Sequence, residues 1–254
     1  MRLEKSLIKL FIVCSLLLLG ELLWLFVIGP CMPLASVEIS GIESLSRITV
    51  LDRAGINART SYFSLNVRKA AESLKTIPQV ERVDISKKFP DSVIIRLYAR
   101  TPAALALASL GGRIVPVIFD KEGVIFQIGN EDELASRGNL PIISGIIFDN
   151  VRTGLRLPEF IIPLLSDIQK LSENSPEVLA ALSELQINKK NNDSFDLTLY
   201  PAQTKVRIRI GSELSAEKIS YALLLLDVLK ERRINVDEID FRSETASYKL
   251  RDEV

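Results

Sequence analysis

The sequence predicts an α+β protein with an N-terminal transmembrane helix, a small βααββ domain, and a larger mixed α/β domain that ends in an edge strand. Three observations carry this prediction: a long apolar run at residues 10–28, a strand–helix–helix–strand–strand pattern over 34–101, and alternating strand and helix patterns over 102–254. With 254 residues, 47% of them hydrophobic and 25% charged, the chain has the composition of a folded protein rather than a disordered one.

The apolar run at 10–28 predicts a single membrane span. It contains 19 residues and one charge, Glu21, and a helix needs about 20 residues to cross the hydrocarbon. Three basic residues precede the run: Arg2, Lys5 and Lys9. The next basic residue is Arg47, so the positive-inside rule predicts a cytoplasmic stub at 1–9, a linker at 29–33, and the rest of the chain outside the cytoplasmic membrane, in the periplasm.

Two alternatives for this segment stay open. A cleaved signal peptide usually has an apolar core of about 7–15 residues, and this run is longer and ends in Gly-Pro-Cys-Met-Pro. Cys31 stands where a lipoprotein cysteine would, although Pro30 disfavours processing. Glu21 is interpreted as a protonated or snorkelling carboxyl, with a contact to a partner helix as its functional alternative.

The domain at 34–101 is predicted from caps and from a hairpin. Ser46 caps a helix that Gly55 ends, and Asn66 caps a second helix that Pro78 ends. The hairpin VDISKKFPDSVIIRLYARTP, residues 83–102, alternates apolar and polar side chains, which indicates a half-buried sheet. We expect its apolar face to contain Val83, Ile85, Phe89, Val93, Ile95 and Leu97.

The domain at 102–254 is predicted to combine strands and helices. Strands are expected near 103–109, 114–119 and 123–128, followed by a helical stretch over 158–185. The expected buried stripe of that stretch is Val178, Ala181, Leu182 and Leu185. SFDLTLY and KVRIRIG form a predicted hairpin, Ser215 caps the last helix, and one closing strand runs to the C-terminus.

Composition excludes most enzyme classes. The chain has no histidine, which removes Ser-His-Asp and Cys-His catalysis and nearly all zinc chemistry. Two Ser-x-x-Lys spacings, at Ser6 and Ser215, have structural explanations, and the acidic run at 131–133 is interpreted as a solvated loop. Lysine plus arginine equals aspartate plus glutamate at 32 each, so no net charge attracts nucleic acid and we expect no nucleic-acid partner. We therefore expect no catalytic residue, cofactor or metal, and no enzyme activity.

The hairpin and the segments after it resemble the FtsQ/DivIB family of bacterial division proteins, which carry a POTRA domain. In KKFPDSVIIRLYARTPAAL, the matching residues are Phe89, Pro90, Ile94, Arg96, Arg100, Pro102 and Ala104. Ala99 departs from the family's usual glutamate. RIVPVIFDKEGVIF, NLPIISG and VDEIDFR match later family segments, so that the resemblance covers essentially the whole chain.

The resemblance implies a non-catalytic membrane scaffold at the division septum that binds FtsB (DivIC) and FtsL and helps control septal wall synthesis. Its binding edge would contain Arg242, Ser243, Thr245, Ala246 and Tyr248 of the closing strand. Ser243 replaces an aromatic residue that is common in the family. Lys189 and Lys190 match a basic spot that meets an acidic partner residue, with an ordinary solvated loop as the alternative.

Two arginines of the POTRA-like domain have two possible roles. Arg82 and Arg96 are candidates for a docking face toward other division proteins, or are solvated side chains on the wet face of a strand.

The alternative function for the chain is a membrane-anchored POTRA protein of envelope secretion. No second copy of the βααββ pattern is visible in the sequence, which disfavours it.

Overall fold

The computed structural model describes residues 2–24, 33–129, 140–148, 150–191, 194–243 and 245–251. The chain forms two compact units, Met1–Ala99 and Arg100–Val254. The acidic run at 131–133 and Cys31 lie outside the described residues.

The N-terminal segment is helical. Helix α1 is Arg2–Leu23. Within the part of the chain that the structure describes, no helix is both long enough and apolar enough to cross a membrane. The predicted span at 10–28 extends past the last described residue of this segment, and the membrane anchor stays a prediction.

The first unit has the predicted βααββ order. Its elements are β1 (Ser36–Ser40), α2 (Arg47–Arg53), α3 (Val67–Leu74), β2 (Val80–Lys88) and β3 (Ser92–Ala99). The strand order is β1-β3-β2, with β1 parallel and β2 antiparallel to the central β3. The prediction for this region is confirmed element by element.

Local capping explains why the two helices of this unit form where they do. The Ser46 hydroxyl accepts the Thr49 backbone N–H, and the Asn66 side chain accepts that of Lys69. The helices pack on one face of the sheet around a core of Val50, Leu74, Val80, Val93, Ile95 and Leu97. Phe89 is a correction to the predicted apolar face: β2 ends at Lys88, and the ring lies in the turn with 66% of the residue exposed.

The second unit is built on a nine-stranded sheet. Its strands are β4 (Ala104–Leu110), β5 (Arg113–Phe119), β6 (Ile125–Ile128), β7 (Ile142–Ser144), β8 (Leu182–Lys189), β9 (Phe195–Pro201), β10 (Arg207–Ile210), β11 (Val236–Asp240) and β12 (Ser247–Leu250). The order is β12-β11-β10-β9-β8-β7-β4-β5-β6. Its helices are a 3-10 turn at Glu159–Ile161, α4 (Ile162–Asn174), α5 (Pro176–Ala180) and α6 (Ala216–Glu231).

The helices of the second unit bury one face of this sheet. Leu164, Leu165 and Ile168 of α4 and Ile219 of α6 are inaccessible to solvent, as are Leu185 and Leu197 of the strands below them. The three early strands, the hairpin of β9 with β10, and the Ser215 cap of α6 agree with the sequence prediction.

The predicted helical stretch at 158–185 is wrong in its last part. The helix ends at Ala180, and Leu182 and Leu185 belong to strand β8. A β-bulge at Leu182/Glu184 places these two leucines in the same core although they are three residues apart. Three is also a helical spacing, so the bulge imitates a helix in the sequence.

The predicted single closing strand is also wrong. It divides into β11 and β12, which pair antiparallel, and β12 is the end of the sheet. Between them, the Asp240 carboxylate accepts the Arg242 backbone N–H at 2.9 Å, a side-chain-closed turn that interrupts the strand. The prediction of an exposed C-terminal edge agrees with the position of β12.

Candidate partner-binding edge

Among the described residues, strand β12 lies at the end of the nine-stranded sheet and pairs on one side only, with β11. All four residues from Ser247 to Leu250 are exposed. The Arg251 N–H donates to the Asn235 carbonyl at 3.0 Å, toward β11. Because backbone groups alternate sides along an antiparallel strand, the N–H groups of Tyr248 and Leu250 point away from β11. These two groups make the edge a template for an added strand.

One face of this edge is apolar. Tyr248 is paired with Ile239 and Leu250 with Val236, and both partners are buried in the core beneath the helices. Directly paired residues share a face, so the side chains of Tyr248 and Leu250 lie on the helix-covered face of the sheet. They are 53% and 56% exposed. Within the described part of the chain, the apolar face of the sheet therefore continues past β11 and is only half-buried there.

Helix α6 adds apolar surface on the same face of the sheet. Its buried stripe of Ile219, Ala222, Leu226 and Leu229 packs in the core with Val236 and Ile239. Its solvent side also carries apolar residues at helical spacing, Tyr221, Leu224 and Val228, where charged side chains are usual. The Tyr221 ring contacts Phe241, with ring centroids 5.8 Å apart, beside the turn that leads to β12.

The opposite face of the edge is charged, and Asp196 of β9 is its centre. Asp196 is 6% exposed. Its carboxylate forms ion pairs with the Lys190 ammonium, at an N–O distance of 2.8 Å, and with the Arg242 guanidinium, at 3.1 Å. Arg242 also binds both oxygens of Asp240 through its Nε, at 2.9 and 3.0 Å. The structure thus brings together two sequence-predicted residues, Lys190 and Arg242, that are far apart in the chain.

Electrostatics holds this cluster in its charged form. Burial acts to raise the pKa of Asp196, but hydrogen bonds and charge from Lys190 and Arg242 outweigh it and lower that pKa below the usual range. The hydrogen bond from Arg242 also lowers the pKa of Asp240. In turn, the two carboxylates raise the pKa of Arg242.

The remaining predicted residues of this site lie nearby in different settings. Ser243 and Thr245 belong to the turn, where the Ser243 hydroxyl donates to the Thr245 carbonyl at 3.0 Å, and Ala246 directly precedes β12. Of the predicted edge residues, Tyr248 alone lies on the strand. Lys189 diverges from Lys190, because its Nζ lies 5.4 Å from the centroid of the Phe160 ring.

Sequence reasoning missed Asp196 and the exposed stripe of α6. Asp196 had one available signal: it is the single charge in the strand SFDLTLY. A lone carboxylate inside a strand with apolar neighbours indicates a paired group. The stripe had a signal too, since the helix is apolar on more than one side.

The candidate docking residues of the first unit are on the wet face of its sheet, as predicted. The Arg82 guanidinium lies 3.9 Å from the centroid of the Tyr98 ring and 3.4 Å from the Asp84 carboxylate. Arg96 is exposed and is paired in register with Asp84. Among the described residues of both units, no group of histidine, cysteine, aspartate and glutamate is arranged to hold a metal ion.

The fold and this edge define a POTRA-domain protein with an open sheet edge in its second unit. The family model described as "POTRA domain, FtsQ-type" matches residues 32–98. A cell division protein DivIB of Bacillus cytotoxicus is 22% identical over 229 residues, 90% of this chain and 82% of the relative. A cell division protein FtsQ of Geotalea daltonii is 23% identical over 210 residues, 82% and 70% of the two chains. Over most of its length the chain is therefore similar to the FtsQ/DivIB cell-division proteins, and residues 32–98 match their type of POTRA domain.

Proposed function

We propose that this division protein is a non-catalytic scaffold, anchored by one membrane span, that binds an FtsB/DivIC-like protein and its FtsL-like companion outside the cytoplasmic membrane. It helps control septal peptidoglycan synthesis by affinity and geometry rather than by bond-making. Similarity to the FtsQ/DivIB proteins, the predicted span at 10–28 and the histidine-free sequence support this proposal.

The observation that carries the proposal is the open edge of β12. A partner strand would take hydrogen bonds from the outward N–H groups of Tyr248 and Leu250. Its side chains would alternate between the two faces of the sheet. On one face they would meet Tyr248, Leu250 and the apolar side of α6, and on the other Lys249, Arg242 and Lys190.

This two-faced edge specifies the chemistry of the partner segment. Apolar side chains would fill the surface between β12 and α6, where the exposed tyrosine and leucine side chains gain most from burial. On the charged face, acidic side chains would meet Lys249 of β12. The cluster beside it pairs two cations with two carboxylates, so it offers hydrogen-bond donors from Arg242 and Lys190 rather than net charge. The partner strand is therefore expected to alternate apolar and acidic residues.

A matched pair of variants tests strand addition. Leu250→Pro removes an N–H that points to solvent, and proline is tolerated on such an edge. Leu250→Ala removes the same apolar side chain and keeps the N–H. The full chain in lipid nanodiscs is titrated with the outer region of the FtsB-like protein of the same organism, with and without the FtsL-like protein.

We expect the alanine variant to bind a few-fold more weakly than wild type and the proline variant a further tenfold or so, in proportion to the lost hydrogen bond and strand geometry. Circular dichroism of both variants checks that they remain folded. Equal affinities of the two variants would show that the partner does not form hydrogen bonds with the β12 backbone. No binding by wild type would reject the proposed partner class.

A further inference from the structure

The first unit carries an exposed aromatic and basic patch that its fold does not require. It consists of Tyr62, Phe63, Lys87, Lys88 and Phe89, contributed by the loop before α3 and by the β2–β3 loop, in which we include the last two residues of β2, Lys87 and Lys88. Phe63 is 39% and Phe89 66% exposed. We call these five residues the aromatic–basic patch.

The aromatic–basic patch is an organised surface. The Tyr62 ring makes edge-to-face contacts with both phenylalanines, with centroids 5.3 Å from Phe63 and 5.8 Å from Phe89. Lys87 donates to the Tyr62 carbonyl at 2.5 Å, and its Nζ lies 5.2 Å from the centroid of the Tyr62 ring. These contacts hold the two loops together and leave the phenylalanine rings directed at solvent.

The patch lies where the chain enters the first unit. Pro33 forms a β-bridge with Ser61, next to Tyr62. The Leu34 N–H donates to the Thr60 carbonyl and the Ala35 N–H to the Asp91 carbonyl, both at 3.0 Å. The same two loops that present the aromatic rings therefore hold residues 33–35, the first described residues after the predicted linker.

Distance along the chain places this end near the predicted span. The five-residue linker 29–33 reaches at most about 17 Å when fully extended. The sheet strands start or end here: β1 and β3 run away from this end in parallel, and β2 returns to it. The patch is therefore at the end of the unit nearest to the predicted anchor.

The surroundings of the patch carry more basic than acidic groups. The two loops carry three basic residues, Arg59, Lys87 and Lys88, and one carboxylate, that of Asp91. The Asp91 carboxylate accepts the Ser92 hydroxyl at 3.0 Å. Aromatic rings with basic neighbours are typical of the membrane–water interface, where rings settle among headgroups and cations meet anionic lipid.

We propose that the aromatic–basic patch binds the anionic phospholipid surface of the membrane in which the chain is anchored. This inference rests on the proposed function for the anchor alone and is independent of the partner edge. Contact through Phe63, Phe89 and Lys88 would fix the orientation of the first unit against the membrane, which attachment through a single chain segment does not do by itself.

Tryptophan fluorescence tests the contact. The full chain has one tryptophan, Trp24, inside the predicted span. In a Trp24→Phe background, Phe89→Trp places a reporter in the patch, and Tyr98→Trp places a control six residues along β3 from Ser92, about 20 Å away. Both are reconstituted in vesicles containing lipid with a nitroxide on the headgroup, made either of phosphatidylcholine or of equal parts phosphatidylcholine and phosphatidylglycerol.

We expect strong quenching in Phe89→Trp that increases with phosphatidylglycerol and is reduced by Lys88→Glu, and little quenching in Tyr98→Trp. Equal, weak quenching at both positions would overturn the proposal and leave the patch for a protein partner. Quenching at position 89 that does not change with the phosphatidylglycerol content would overturn the proposal that the patch binds anionic lipid. In unsubstituted protein, quenching of Trp24 by a nitroxide on the lipid acyl chain measures insertion of the predicted span. A span that does not insert is therefore detected separately from a patch that does not bind.

Discussion

Two arginines of the second unit, Arg100 and Arg242, each pair with an almost fully buried aspartate, in very different surroundings. Asp120, the partner of Arg100, is 2% exposed, and Asp196, the partner of Arg242, is 6% exposed. The arginine side chains differ more, at 10% and 34% exposed. The same ion-pair chemistry is thus buried in one place and open in the other.

The buried pair stabilises a turn. Asp120 accepts the backbone N–H groups of Glu122 and Val124 at 3.0 and 2.8 Å as well as the Arg100 guanidinium. Gly123 completes this Asp-x-x-Gly turn with φ of +72°, and a Cβ there would lie 2.8 Å from the Ile162 side chain. All of these groups are satisfied within the fold.

The open pair connects elements from distant parts of the chain. Arg242 joins the turn after β11 to Asp196 of β9, and Lys190 shares the same carboxylate. One side of the cluster is left accessible beside β12. Burial thus separates an ion pair that maintains the fold from one that shapes a surface.

Loss of the buried pair should have the largest effect. Arg100→Ala leaves the Asp120 carboxylate buried without its cation, and we expect the free energy of unfolding to fall by about 3–5 kcal/mol. Urea titration followed by circular dichroism measures it. Arg156→Ala is the control, because Arg156 is 69% exposed and lies 3.8 Å from Glu122. Similar losses in both variants would remove the contrast.

Loss of the open arginine should appear in binding rather than in folding. In Arg242→Ala, Lys190 still neutralises Asp196 and the charge of Arg209 still acts on Asp240, so we expect stability close to wild type. We expect the affinity for the FtsB-like outer region to be lower by roughly tenfold. Titration in nanodiscs measures the affinity. Arg232→Ala, an exposed arginine at the end of α6, is the matched control. Unchanged affinity in Arg242→Ala would show that the cluster does not face the partner.

The smallest expected effect is a decrease in the free energy of unfolding as the pH falls into the acid range. Asp196 and Asp240 have pKa values lowered by their cations, so the unfolded chain takes up protons first as the pH falls. Their contribution is complete above the ordinary aspartate pKa of about 4 and is lost as the pH falls through it toward the folded values. Unfolding free energies between neutral pH and pH 3 should show a shallower slope in Arg242→Met than in Arg156→Met. Identical slopes would contradict the assignment.

Prediction succeeded where structure depends on neighbours in the chain. Ser46, Asn66 and Ser215 cap helices through N–H groups three residues away, and the hairpin of β2 and β3 is coded by alternation around a short turn. It failed at Leu182, where a β-bulge imitates helical spacing, and after Asp240, where a side-chain-closed turn divides one apparent strand into two.

The candidate site was predictable in part. The resemblance pointed to Arg242 and Lys190, and the structure joins them. It could not supply Asp196, because the contact spans 46 residues from Arg242 and depends on the start of β9 lying at the same side of the sheet as the end of β11. Nor could alternation alone show that Tyr248 faces the helices, since the register with Ile239 decides this.

The sequence by itself determined the βααββ unit, the apolar N-terminal run, the absence of histidine chemistry and the exposed C-terminal edge, because periodicity, caps and composition are local properties. The tertiary structure alone decided which groups share the edge: the register of β12 on β11, the meeting of Lys190 and Arg242 at Asp196, and the joining of two loops into the aromatic–basic patch. The physical reason is that hydrogen-bond register and charge pairing across a sheet depend on distances between residues that are remote in the chain.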